Sequence, residues 1–130
     1  MFQGIPNHIT AAQNAAQTER RVLGAMLLDP RCVPRAVEQL EPEDFFFKQN
    51  REIFRSIRSL FRMGAIIDGV TVLENLWQSG AWDAVCYRTY ISQLIAATPT
   101  SAEVAEDIKR LKAQLAAAQT DAGKDVISAV

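Results

Sequence analysis

The sequence predicts an all-α protein: a multi-helix head followed by an antiparallel helical hairpin. Three observations carry this. Glycine (6) and proline (5) are sparse among 130 residues, too few turn formers for a chain of many short strands. Apolar residues recur at the three-and-four spacing of a helix face, and most such runs are bounded by a capping residue, a glycine or a proline. A chain with 48% apolar residues at this length buries roughly two-thirds of its unfolded surface. One core therefore suffices without a disulfide or metal staple.

Residues 1–17 read as an N-terminal arm and the start of the first helix, which Thr10 and Gln13 can open as a capping box. Val22, Leu23, Met26 and Leu27 form its apolar face, and the helix ends near Asp29 because Pro30 pushes the residue before it out of the α region. Pro34 suits the first turn of a short second helix whose face is Val33, Ala36, Val37 and Leu40, closing before Pro42. Glu43 and Asp44 then lie on a turn and can cap the next helix, and Phe45, Phe46 and Phe47 are expected to plug the core.

The clearest helix runs from about Gln49 to Met63, with Ile53, Phe54, Ile57, Leu60 and Phe61 on one side and Gly64 just past its end. Asp68 can cap a fourth helix carrying Val72, Leu73, Leu76 and Trp77, which Gly80 stops. These elements make a head over residues 18–84. The hairpin is expected over 85–120. Its first helix bears Tyr90, Ile91, Leu94 and Ile95 and ends at Thr98-Pro99; its second opens on a Thr100/Glu103 capping box and bears a stripe of Val104, Ile108, Leu111 and Leu115, with Glu106 and Arg110 as an i,i+4 pair. Residues 121–130 read as a tail or the start of a linker.

Several function classes find no support in these residues. The single Gly-Lys, at Gly123-Lys124, is followed by Asp125 and has Ala118 where a phosphate-binding loop needs its first glycine. His8 is the one histidine and has no cysteine or histidine at ligand spacing, which argues against zinc and against a Ser-His or Cys-His nucleophile. The pair Glu43 and Asp44 reads as capping groups rather than an acid/base site. Cys32 and Cys86 read as small buried hydrophobes. The expectation is a non-enzymatic chain without cofactor or metal. With no signal segment and no apolar run of ~18 residues, a cytoplasmic setting without membrane contact is the default.

Net charge is −1, so electrostatic binding must be local. Arg51, Arg55, Arg58 and Arg62 fall at i, i+4, i+7 and i+11, along the side of the third helix opposite its apolar face. That strip can be a solvated face, a docking surface for an acidic partner, or a set of phosphate contacts; at this net charge, direct nucleic-acid binding is expected to be weak or absent. The stripe on the second hairpin helix likewise has two readings. It can pair with another copy, or Leu111 and Leu115 can fold back on the head.

The run Glu19-Arg20-Arg21-Val22-Leu23-Gly24-Ala25-Met26-Leu27-Leu28-Asp29-Pro30 resembles the opening of the N-terminal domain of DnaB-type replicative DNA helicases. The resemblance continues in order through Leu40-Glu41-Pro42-Glu43-Asp44-Phe45-Phe46, Asn50-Arg51-Glu52-Ile53-Phe54, Gly64, Ile67-Asp68, Thr71-Val72, Leu76, Gly80, Tyr90-Ile91, Leu94 and Thr98-Pro99-Thr100-Ser101-Ala102, covering Glu19 to Val104. It implies a helical head and a hairpin through which subunits pair into a collar that receives primase and loading proteins. ATP and magnesium then belong to a separate motor domain. On this resemblance Tyr90, Leu94, Val104, Ile108, Leu111 and Leu115 are the expected subunit interface. The alternative is a stand-alone adaptor that uses the same fold to bind a helicase or primase. The chain departs from the family pattern at Cys86 and Tyr87, where a glycine pair is common, at Asp107, near a usual tyrosine, and over Lys112-Ala113-Gln114-Leu115-Ala116.

Overall fold

A computed structural model describes the backbone of residues 7–80, 84–98 and 100–113 and the side chains of 15–80, 87–98 and 100–113. The described residues form six α-helices and two short 3-10 turns, with no strand among them. Helix α1 spans Asn7–Leu28, α2 Val33–Gln39, α3 Lys48–Arg62, α4 Gly69–Gln78 and α5 Ala84–Ala97; α6 covers 104–113. The backbone is already helical at Asn7, the first described residue, ahead of the expected start at Thr10, whose side chain lies outside the described residues.

Local chemistry explains the boundaries. Asp29 accepts the Arg31 N–H at 3.2 Å and so caps the Pro30–Cys32 turn. Gly64 and Gly80 both have positive φ, 68° and 71°, the left-handed conformation that ends α3 and α4. Asp68 accepts the Thr71 N–H while the Thr71 hydroxyl accepts the Asp68 N–H, each at 2.9 Å, a reciprocal cap for α4. Before α6 the Thr100 hydroxyl accepts the N–H of Ala102 rather than that of Glu103, so the expected capping box is a tighter turn.

One core joins all six helices, with Phe45, Phe54, Leu23, Met26, Ile53, Ile57, Leu94 and Ile108 at its centre. Helix α1 packs most extensively on α5, and the approach is so close that only a glycine fits at Gly24. Helix α5 runs beside α1 from Tyr90, near Arg20, to Thr98, near Gly24. The chain then turns, with Ser101 donating to Asp29 at 3.0 Å, and α6 returns past Arg21 through Asp107. The hairpin therefore clasps α1. Ile91, Leu94, Ile108 and Leu111 share the core of the head.

Three aromatic expectations change. Phe45 is buried against Phe54 at 5.0 Å between ring centroids, but Phe47 is only half-buried and Phe46 is 68% exposed. Trp77 is also exposed, because it follows Val72 by five residues and so points about 140° away from it around α4, toward solvent. Phe61 lies in the last turn of α3, where the core thins, and is partly exposed.

Candidate protein-docking face

Helix α3 has an inner side of Ile53, Phe54, Ile57 and Leu60 and an outer side of cations. Its start is organised from α1. Glu19, 1% exposed, accepts the N–H of Phe46 at 2.8 Å, the N–H of Phe47 at 3.4 Å and the Asn50 amide at 2.7 Å. The Asn50 carbonyl oxygen in turn accepts the Tyr90 hydroxyl, and Tyr87 donates to Glu52, so α5 is tied to α3 by two phenols. Burial raises the Glu19 carboxyl above the usual carboxylate range, against the pull of Asn50, the two backbone N–H groups and Arg51. Burial also raises the Tyr90 hydroxyl, while the Arg20 guanidinium works the other way.

The four arginines divide. Arg51 donates to the carbonyls of Phe45 at 3.1 Å and Phe46 at 2.7 Å, a structural tie rather than a free cation. Arg58 is 20% exposed and is held by Glu41 at 2.9 Å. Arg55 is exposed and meets Glu43 only at 3.9 Å. Arg62 is exposed and has no ion pair among the described residues. Two of the four are therefore available to a partner.

Two members of this face were missed by the sequence reading. Lys48 is 80% exposed and reaches Glu52 only at 4.0 Å. It stands seven residues before Arg55 and fourteen before Arg62, a spacing legible in the sequence but masked by the denser arginine series. Phe46 was assigned to the core. Its backbone is clamped between Glu19 and Arg51, and its ring stands in solvent with Phe47 edge-on at 5.2 Å.

The residues expected as a subunit interface sit as follows within the chain. Leu94, Val104, Ile108 and Leu111 are all buried within the chain, and Tyr90 is half-buried on Asn50. Leu94, Val104, Ile108 and Leu111 thus already have apolar partners within the chain's own core. Leu115 lies outside the described residues. Asp107, at the family's departure point, is buried to 4% side-chain exposure and accepts Arg21 Nε and Nη2 at 3.2 and 3.1 Å, with Arg110 at 3.3 Å. The polar stretch of α6 is thus a docking contact with α1. The expected Glu106–Arg110 pair is replaced, since Arg110 turns to Asp107 and Glu106 pairs with Lys109 at 3.6 Å.

Among the described residues, no three His, Cys, Asp or Glu side chains stand close enough to hold a metal ion, and no helix is long and apolar enough to cross a membrane. His8 and Gly123-Lys124 lie outside the described side chains.

Comparison with known proteins agrees with this architecture. The chain is 38% identical over 90 residues to the replicative DNA helicase DnaB of Rhodothermus marinus, covering 69% of this chain and 10% of that protein. It is 36% identical over 88 residues to that of Geobacillus stearothermophilus, covering 68% of this chain and 19% of that protein. It thus spans about a tenth to a fifth of the length of these relatives. The crystal structure of the N-terminal domain of DnaB helicase from Mycobacterium tuberculosis superimposes with a TM-score of 0.76 at 28% identity, covering 85% of this chain and 78% of that one. The family model for the DnaB-like helicase N-terminal domain matches residues 11–113, the span that holds the α1–α6 core, and the chain belongs to that family.

Proposed function

We propose that this chain is a non-catalytic assembly and docking module of a replicative DNA helicase, working in the cytoplasm. In this reading it pairs with further copies of itself to build a collar and receives primase or a helicase loader on an exposed face. ATP and magnesium are used by a motor domain outside these residues. The observation that carries the reading is the outer side of α3, where exposed cations with long or absent ion pairs follow the exposed aromatic Phe46 at the helix start. The polar groups inside the head are occupied in holding helices together, as Glu19, Asn50 and Asp107 are, which leaves recognition to the surface.

Sedimentation velocity across concentration tests the assembly role. A mass that rises with concentration is expected, and a monomer at every concentration overturns subunit pairing. Leu111→Asp should unfold the head rather than dissociate an assembly, because Leu111 is core here. Co-sedimentation with purified primase or loader tests docking, and steady ATP turnover by the homogeneous chain would overturn the non-catalytic reading.

A further inference from the structure

We infer that the outer side of α3 docks an acidic amphipathic helix of a different protein, with carboxylates seven residues apart set against Lys48, Arg55 and Arg62 and an apolar side chain seated on Phe46. This rests on the protein-docking reading above and gives it a surface and a chemistry.

The three cations stand at i, i+7 and i+14, so successive heads are about 10.5 Å apart along one line of the helix. Each is available: Lys48 and Arg55 meet their carboxylates only at 4.0 and 3.9 Å, and Arg62 has no ion pair among the described residues. A partner helix lying along α3 repeats at the same pitch, so carboxylates spaced by seven meet the cations one to one.

Phe46 supplies the anchor. Ordering an exposed aromatic ordinarily costs affinity, but here Glu19 holds its N–H and Arg51 its carbonyl, and the ring is presented before any partner arrives.

Other occupants match less well. This chain has no two carboxylates seven residues apart anywhere in its sequence, so a second copy does not carry the complementary series. A DNA strand presents a phosphate about every 3.4 Å of helix axis, so cations about 10.5 Å apart meet only about every third one, and three such contacts support only weak, strongly salt-dependent binding.

The test uses a synthetic helix of roughly 21 residues with glutamates at seven-residue spacing and one leucine turned to the same face, titrated against the chain by fluorescence anisotropy. Saturable binding is expected, weakened about tenfold by Phe46→Ala and by a similar factor in the Lys48→Gln/Arg55→Gln/Arg62→Gln variant, whose salt dependence should flatten. A glutamine version of the peptide should lose the salt-dependent part. Circular dichroism checks the fold, and Phe46→Gln serves if the alanine variant is unstable. The inference is overturned if the peptide does not bind, if binding ignores both sets of substitutions, or if a single-stranded oligothymidylate binds more tightly. Sedimentation of the same samples separates the two readings: loss of peptide binding with assembly intact sinks this face alone, and peptide binding by a permanent monomer sinks the assembly reading alone.

Discussion

Gly24 of α1 and Thr98 at the end of α5 approach so closely that a Cβ on Gly24 would lie 2.1 Å from the Thr98 hydroxyl oxygen and 2.7 Å from the Leu94 carbonyl oxygen. The Thr98 hydroxyl itself donates to that carbonyl at 2.9 Å, so moving the hydroxyl costs this bond and moving the carbonyl shifts the backbone of α5. Overpacking in Gly24→Ala should cost about 3 kcal/mol, the upper end for such insertions, of which the ~1 kcal/mol that alanine gains in helix propensity offsets a part, leaving a net loss of about 2 kcal/mol. Urea denaturation measures the difference, and equal or higher stability would mean that α1 and α5 are not in this contact.

Glu19 gives a pH-dependent prediction. Its folded-state carboxyl titrates above the ordinary value of 4.5, so the folded state holds the proton more tightly than the unfolded chain. Stability from this group is then greatest at acidic pH and falls as pH rises from 4.5 through the raised folded value. Glu19→Gln removes that slope. It also sets an amide donor against the N–H donors of Phe46 and Phe47 and the Asn50 amide, at a cost of about 1–3 kcal/mol. The stability gap between parent and variant should narrow with rising pH; a widening gap would refute the assignment.

The contact between α6 and α1 should respond unequally to its two partners. Arg21→Met leaves the buried Asp107 carboxylate with Arg110 alone, whereas Asp107→Leu fills the site with an apolar side chain and lets the partly exposed Arg21 turn to water. The arginine variant is expected to be the less stable of the two by roughly 1–2 kcal/mol in thermal or urea unfolding. The reverse order would mean that Asp107 is better solvated than its burial indicates.

Asp29 should titrate at about 2, well below its usual 3.8, chiefly because Arg31 and then Ser101 donate to it. Its contribution is present above pH 3.8 and is lost as pH falls toward about 2. Carboxyl-carbon NMR reads the midpoint directly, and Ser101→Ala should move it upward. A midpoint at or above 3.8 in the parent would exclude the turn geometry described for Asp29.

By itself the sequence determined the helical class, the glycine stops at Gly64 and Gly80, the Asp68 cap and the inner faces of α1 and α3, all of which depend on residues within a few positions of one another. Tertiary structure decided what depends on distant partners. Glu19 and Asn50 are 31 positions apart and Arg21 and Asp107 are 86, so nothing local marks the first pair as the tie between α1 and α3 or the second as the seat of α6. The stripe on α6 has the same pattern whether it faces α1 or another subunit, because amphipathicity specifies that a face is buried and not against what. Phe45, Phe46 and Phe47 are chemically alike. Only the clamp of Glu19 and Arg51 on the backbone decides that the middle ring stands in water while the first fills the core.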